Sequence, residues 1–493
     1  AKFSAREVFN GDGSFKVSED GDEVGKNFIM RKATGYVSFV RGENPYTFPF
    51  RIWPSQFSPE NTYDSVPQPS LQLNGVAIRQ PLEMLSIFLA KCGSVQQMGY
   101  DYIINYLREN VGKEAGRKMP DFENMDAFGY TLLQRPLEAL NMIYPDKRLD
   151  NARVDPKDLV GKVGLSRIMK YTESTSPMFR GEFEYKTNEY GRIFSPGEIG
   201  KYSGKIKNIC NSIVNSQGVV LIYSQYIDGG IVPVALALEE LGFKRAGGGS
   251  SLFKVNPTEG VDAVSFKPRR EVSTGFSQAS YIMITGDKAL SPDNVRELKL
   301  ATNIDNKDGK QAKVILISQA GSEGLDFKFI RQVHVLEPWY NINRIEQIIG
   351  RAVRTCSHKD LPFALRNVEI YLYGSVLEDV RHEAADIYVY RLAELKALQI
   401  GVVTRALKES AVDCLLNFEQ TGFTAADMNM NVKQTLSSGK VIDYQVGDKP
   451  FTSTCDYMSK CEYKCLPVES IDAEEVTLDT YNESFIMMNT DKI

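Results

Sequence analysis

Five short apolar runs set the strongest limit on what this chain can fold into. They are Gly218-Val-Val-Leu-Ile-Tyr223, Tyr281-Ile-Met-Ile284, Val314-Ile-Leu-Ile317, Val333-His-Val-Leu336 and Val368-Glu-Ile-Tyr-Leu-Tyr373. Helical patterns at Val232–Leu241, Pro292–Leu300 and Ile342–Val353 alternate with them. A strand buried on both faces reads as a continuous apolar run, and strands alternating with helices build a parallel sheet. The expected fold class is therefore α/β, with a parallel sheet covered by helices on both faces. In such sheets ligands sit outside the carboxyl ends of the strands. The loops after Tyr223, Ile284, Ile317 and Leu336 carry polar residues, and most of them glycine.

Within this series, Val314–Arg354 holds the chemistry. Ser318-Gln-Ala-Gly-Ser322-Glu-Gly324-Leu-Asp326-Phe327 leaves one strand, and Glu337-Pro-Trp-Tyr340 follows the next. Gln347, Arg351 and Arg354 then stand at i, i+4 and i+7, so they project from one helix face. Planar guanidinium groups fork onto phosphate or carboxylate oxygens and stay charged at any working pH. An isolated R-x-x-R is more often a solvated basic face. Here a strand, a glycine-containing loop and a second strand precede it in order, which favours an anion site. Gly350 sits mid-helix, where glycine costs about 1 kcal/mol relative to alanine, and a close approach to its backbone is the expected reason.

Composition removes several other functions. The net charge of −5, with 25% charged residues of both signs, advertises no general affinity for nucleic acid, so any such binding needs a local groove. No run of about 18 apolar residues suggests a membrane span. Three histidines make a metal-hydrolase or Ser/His/Asp centre an unpromising idea; His334 reads as a core residue, His358 and His382 as surface ones. Seven cysteines without a regular framework point to a reducing intracellular setting. Cys455-x₅-Cys461-x₃-Cys465, with Cys414 as a fourth thiol, departs from the usual zinc spacing, so no metal site is expected.

Nor does the sequence contain a phosphate-cradling G-x-x-x-x-G-K-[ST] loop. Gly200-Lys-Tyr-Ser-Gly-Lys205 is one residue short and is followed by Ile206, and Asp22-Glu23 follows no buried strand. The chain begins at Ala1 and is expected to be a piece of a longer protein.

Outside the sheet the expectations are coarser. Residues 1–34 are polar and read as a mobile leader. Residues 35–200 read as a linker with a helical insertion, including two helices over Pro81–Asn110. The lobe itself is expected over 201–375, with a long, partly disordered loop from Phe243 to about Ser280. A helical extension follows at 376–425, then an irregular tail with short strands at 426–493.

Several of these stretches resemble a known family. Gln347-Ile-Ile-Gly-Arg-Ala-Val-Arg354 is similar to motif VI of superfamily-2 helicases, and Ser322-Glu-Gly-Leu-Asp-Phe327 to their motif V. VSFVRGENPYTFPFRI (Val37–Ile52) resembles a segment of the helicases of nucleocytoplasmic large DNA viruses. That family includes poxvirus nucleoside triphosphatase I and the small subunit of the poxvirus early transcription factor. Gln134–Pro145 and LKESAVDCLLN (Leu407–Asn417) resemble elements flanking the second lobe, so the likeness covers roughly residues 35–420.

The resemblance implies a RecA-like helicase C-terminal lobe that completes an ATP site held mainly by a first lobe absent from this chain. ATP and Mg²⁺ would be the cofactors. Arg351, Arg354 and Gln347 would be catalytic, and Gly324, Asp326 and Gly350 would serve the nucleotide. Ser224 and Gln225 of motif IV, Thr285, Gly286, Ser318 and Ser322 would line the nucleic-acid groove. Motif VI is nearer that of Swi/Snf remodellers than the DEAD-box pattern, which favours translocation on duplex DNA. Viral RNA polymerase or transcription-factor subunits would be partners, and virion and host cytoplasm the locations. The alternative is a catalytically silent, helicase-like scaffold that binds nucleic acid or polymerase; an intact motif VI argues against it, because a scaffold has no use for both arginines.

Overall fold

In the computed structural model, which describes residues 4–10, 14–39, 43, 47–111, 132–151, 154–173, 181–247, 250–319, 324–414 and 429–466, the apolar runs are strands. In chain order the strands are β1 (Phe50–Ile52), β2 (Phe88–Lys91), β3 (Met169–Glu173), β4 (Gly181–Tyr185), β5 (Val219–Tyr223) and β6 (Lys244–Arg245). They continue with β7 (Ser280–Ile284), β8 (Val314–Ile317), β9 (Ile330–Val335), β10 (Asn367–Val376), β11 (Asn431–Thr435) and β12 (Val441–Gln445). The main sheet runs β1-β10-β9-β5-β8-β7-β6, with β2 also on β10, and every pairing in it is parallel. All residues of β5, β7, β8 and β9 are buried. Alternate residues feed two separate cores: Leu221, Ile315, Val333 and Ile370 on one face, Val220, Ile222, Leu316 and Tyr371 on the other. Two covered faces are the physical reason the strands read as unbroken apolar runs.

The principal helices are α1 (Ser94–Val111), α2 (Gln134–Asn141), α3 (Gly204–Val214), α4 (Val232–Glu240), α5 (Asn294–Thr302), α6 (Ile342–Ala352) and α7 (Ala385–Glu409). Three of them start where a side chain can accept a free N–H. Ser203 accepts from Ile206 N at α3, Asp293 from Arg296 N at α5, and Asn341 from Asn343 N at α6. Helices α4, α5 and α6 stand where the spacing of apolar residues predicts them. The fold class is α/β, a parallel sheet covered by helices on both faces, as the alternation of strands and helices predicts.

Several expectations need correction. Ile87-Phe88-Leu89 is not helical: Phe88–Lys91 is the edge strand β2, paired with Tyr373–Val376, and only α1 follows it. A buried run of four residues has too few positions to distinguish period 2 from period 3.6. The described part of the leader packs against the lobe. Val8, Phe15, Ile29 and Met30 pack against Ala406 of α7, and Lys26 pairs with Glu409 at 2.9 Å. The described residues of 243–280 are ordered by burial of Leu252, Ala263 and Ala279, and by Glu239, which accepts from the backbone N–H groups of Leu252 and Phe253.

Residues 376–384 form the end of β10 and a turn, not helix; α7 begins at Ala385. His358 is buried rather than at the surface, with Nε2 2.7 Å from the carbonyl of Ile330. Burial lowers it to about 4, as it lowers His334 to about 3.

The C-terminal cysteines are not free thiols. Cys414 is bonded to Cys465 and Cys455 to Cys461. The fold closes a separation of 51 residues in the first case, which spacing alone does not reveal. Arg405 of α7 holds the same segment by bonds to Asp456 and to the carbonyl of Cys455. Among the described residues no group of three or more His, Cys, Asp or Glu is arranged to hold a metal, and no helix is long and apolar enough to cross a membrane.

Ion pairs lie in the interior, Arg245–Glu297 and Arg391–Glu383 among them. Lys205 on α3 meets Asp386 on α7 at 2.8 Å, with both side chains at most 1% exposed. The ammonium also donates to the carbonyl of Leu336 at 2.7 Å, and Ser375 Oγ donates to Asp386 at 2.7 Å. Removing one partner strands a charge in the core. Lys205→Met is therefore expected to lose about 3–5 kcal/mol of unfolding free energy in urea titration, and Lys205→Met with Asp386→Leu to regain most of it. A single variant as stable as the parent would show that the pair is dispensable.

Candidate nucleotide and nucleic-acid site

Parallel pairing brings the carboxyl ends of β9, β5, β8 and β7 side by side in that order. The loops after these strands consequently share one edge of the sheet, and the helix that follows β9 is α6. Its Ile342, Ile345, Ile348, Ile349 and Ala352 are buried, which turns the opposite face outward. Gln347 and Arg354 are exposed and Arg351 is half-buried.

The loop after β8 and the end of α6 are interlocked. Arg351 Nη1 donates to the carbonyl of Leu325 at 3.2 Å, and Phe327 N donates to the carbonyl of Arg351 at 3.1 Å. Arg354 pairs with Asp326 at 2.7 Å, and both side chains are well exposed. Exposed pairs are worth 0.2–1 kcal/mol, order-of-magnitude, so an incoming anion can take Arg354 from Asp326 cheaply. Gly324 adopts φ +71°, a conformation that suits glycine, with open space around it. At Gly350 a side chain would meet nothing within 4 Å among the described residues. No close approach within the described residues explains that glycine. Ser322 lies outside the described residues.

The motif IV residues are placed differently from the sequence reading. Ser224 is fully buried, and its hydroxyl donates to Glu337 Oε2 at 3.0 Å. It is not open to a phosphate. Asn141 Nδ2 donates to the same oxygen at 2.7 Å, and Gln225 N donates to Glu337 Oε1. Gly230 is required here, because a Cβ would stand 2.0 Å from Ser224 Oγ. Gln225 is half-buried beside this cluster.

Thr285 is buried too. Its hydroxyl lies 2.9 Å from Ser291 Oγ and accepts from Asp287 N at 3.2 Å, whereas Gly286 is exposed. Ser318 is buried at the end of β8, and its hydroxyl has no hydrogen-bond partner among the described residues. The structure thus brings Arg351, Arg354, Gly324 and Asp326 together, and gathers Ser224 and Gln225 around Glu337. Asn141 and Glu337 were missed as site residues. A carboxylate following a buried strand was the signal for Glu337; nothing local marks Asn141.

Residues 276–356 match the helicase conserved C-terminal domain family. A protein of Acanthamoeba polyphaga mimivirus named as an ATP-dependent RNA helicase is 40% identical over 424 residues, covering 79% of this chain and 47% of that protein. A second mimivirus protein of the same description is 34% identical over 221 residues, covering 44% and 34%. A termination factor NPH-I homolog of African swine fever virus is 32% identical over 184 residues, covering 35% and 26%. The relatives are helicases of large DNA viruses, and the chain spans less than half the length of each of these three.

Burial outweighs its three donors and raises the Glu337 carboxyl to about 7 from 4.5. The native state therefore holds a proton that the unfolded chain releases near 4.5. Stability from this group is full below about pH 4.5 and falls as the pH rises to about 7, by about 3 kcal/mol at most. Glu337→Gln should flatten the pH dependence of unfolding free energy across that window. An unchanged slope would show that Glu337 titrates normally.

Proposed function

We propose that this chain is the second lobe of a nucleic-acid-dependent ATPase, a translocase on duplex DNA serving viral transcription. Its ATP site would be completed by a phosphate-cradling lobe outside this chain. The observation that carries the reading is the outward C-terminal end of α6, where Arg351 on the helix and Arg354 just past it meet the loop of Gly324 and Asp326. ATP with Mg²⁺ supplies the phosphoryl group whose transfer to water drives movement.

Arg351 and Arg354 present fixed positive charge to the phosphate oxygens, where such a finger is worth about 10³–10⁵ in rate. Both are held only by a carbonyl and an exposed carboxylate, so the switch to phosphate is cheap. Gln347, on the same face, orients the nucleotide or the attacking water. Open space at Gly350 admits the ligand close to the helix backbone. Gly324 and Asp326 tie the state of the arginines to the loop that faces nucleic acid. Gln225 and Gly286 reach the phosphate backbone of the strand. Ser224 and Thr285 shape that groove through the backbone, because their hydroxyls are already bonded. Transcription is favoured by the name of the African swine fever virus relative. Duplex DNA is favoured by the likeness of motif VI to that of the Swi/Snf remodellers.

The test is ATP hydrolysis by the longer protein with duplex DNA and with RNA, as parent and as Arg351→Ala, alongside this chain alone. The parent should be stimulated by duplex DNA, the variant should fall by about 10²-fold or more, and the chain alone should be silent. Hydrolysis that ignores Arg351→Ala would remove the motor and leave a nucleic-acid-binding or polymerase-binding scaffold.

A further inference from the structure

Arg51 stands in β1 at the edge of the sheet, with its side chain only 12% exposed. Its Nη1 donates to Glu346 Oε2 at 2.7 Å, and its other terminal nitrogen pairs with Glu43. Glu346 belongs to α6, immediately before Gln347. Ser453 of the C-terminal segment donates its hydroxyl to the same carboxylate oxygen at 3.2 Å. The helix that carries Arg351 is therefore gripped by two segments that lie 295 and 107 positions from Glu346.

The apolar side of α6 already fixes which face is buried. Apolar contacts are not directional, however, and tolerate small rotations and slides of a helix. A guanidinium forked between two carboxylates does not. Glu346 is about 100° round the helix from Gln347, so the clamp holds α6 from beside the face that carries the site. It leaves that face open.

We propose that Arg51 is a positioning residue for the arginine-bearing helix: through Glu346 it sets the rotation of α6, and hence where Gln347 and Arg351 reach. This rests on the reading of motif VI given above. The stretch Val37–Ile52 then has a mechanical role, because it delivers this arginine to the motif VI helix. A lysine in its place keeps the charge and loses the fork. A misplacement of 1 Å in a reacting group costs on the order of 10² in rate.

Two measurements separate this role from simple stabilisation. The variants are Arg51→Lys, Arg51→Met, Glu346→Gln and the exchange of Arg51→Glu with Glu346→Arg. In this chain, amide hydrogen exchange in α6 should rise about tenfold in Arg51→Met while β5 and β8 keep their protection. In the longer protein, kcat should fall about tenfold or more with KM for ATP changed less than about twofold, and the exchanged pair should recover most of the loss. Unchanged exchange in α6 overturns the clamp. Unchanged kcat overturns the positioning role, as does a loss of protection across the whole sheet that the exchanged pair does not repair. Arg351→Ala is run in parallel. If it leaves hydrolysis intact while α6 still loosens in Arg51→Met, the reading of motif VI fails and takes the positioning role with it, and the contact is structural only.

Discussion

Burying a lysine ammonium is costly unless it is paired and hydrogen-bonded, and in this fold Lys205 meets Asp386. The pair ties α3 to the first turn of α7, and through the carbonyl of Leu336 it reaches the end of β9. One residue further, Glu337 accepts from Asn141, Ser224 and Gln225. Five segments of the sequence are thus joined by buried polar groups directly beneath the carboxyl edge of the sheet. Buried polar groups that lack partners are costly, so these segments cannot separate independently. The geometry of the site depends on this network.

The site is built from directional contacts laid over a non-directional core. Isoleucines on α6 and alternating residues in β5, β8 and β9 bury the elements and fix which faces meet. That burial leaves the face with Gln347 and Arg351 outward but does not hold it to a fraction of an ångström. Contacts from Leu325, Asp326, Arg51 and Ser453 supply directional restraint. Those on the ligand side are weak, a carbonyl and an exposed carboxylate; the one to Arg51 is mostly buried. The arginines are thus held loosely on the outward side, and the helix that carries Arg351 is held firmly through Glu346.

The C-terminal segment and the N-terminal leader use the same helix. Val8, Ile29 and Met30 pack on one part of α7, while Arg405 and Lys408 hold Asp456 from another. The Cys414–Cys465 bond ties the end of that segment to the residues just beyond α7. The hairpin β11–β12 lies at the other end of the sheet, where Arg331 donates to the carbonyl of Thr435 and Glu369 accepts from Ser437 N. It closes the amino ends of β9 and β10 and leaves the carboxyl edge free.

By itself the sequence determined the elements whose signals are local. Unbroken apolar runs marked the central strands, because both faces of the sheet are covered. Residues at i and i+4 placed Gln347 and Arg351 together, since helix geometry alone does that; Arg354, expected on the same helix face, lies past Ala352, where the helix ends, and pairs with Asp326. The motif V and VI patterns marked the loop and helix that meet at the site. Only the tertiary structure decided which distant groups pair. Phe88–Lys91 became a strand because β10 offered an edge, and a run that short carries no period. Ser224 turned inward because its hydroxyl donates to Glu337 and accepts from Tyr226 N, and no local pattern reports a partner 113 residues away. The same holds for Arg51 on Glu346 and for Cys414 on Cys465: chain topology sets these contacts, and a residue's own neighbours do not record them.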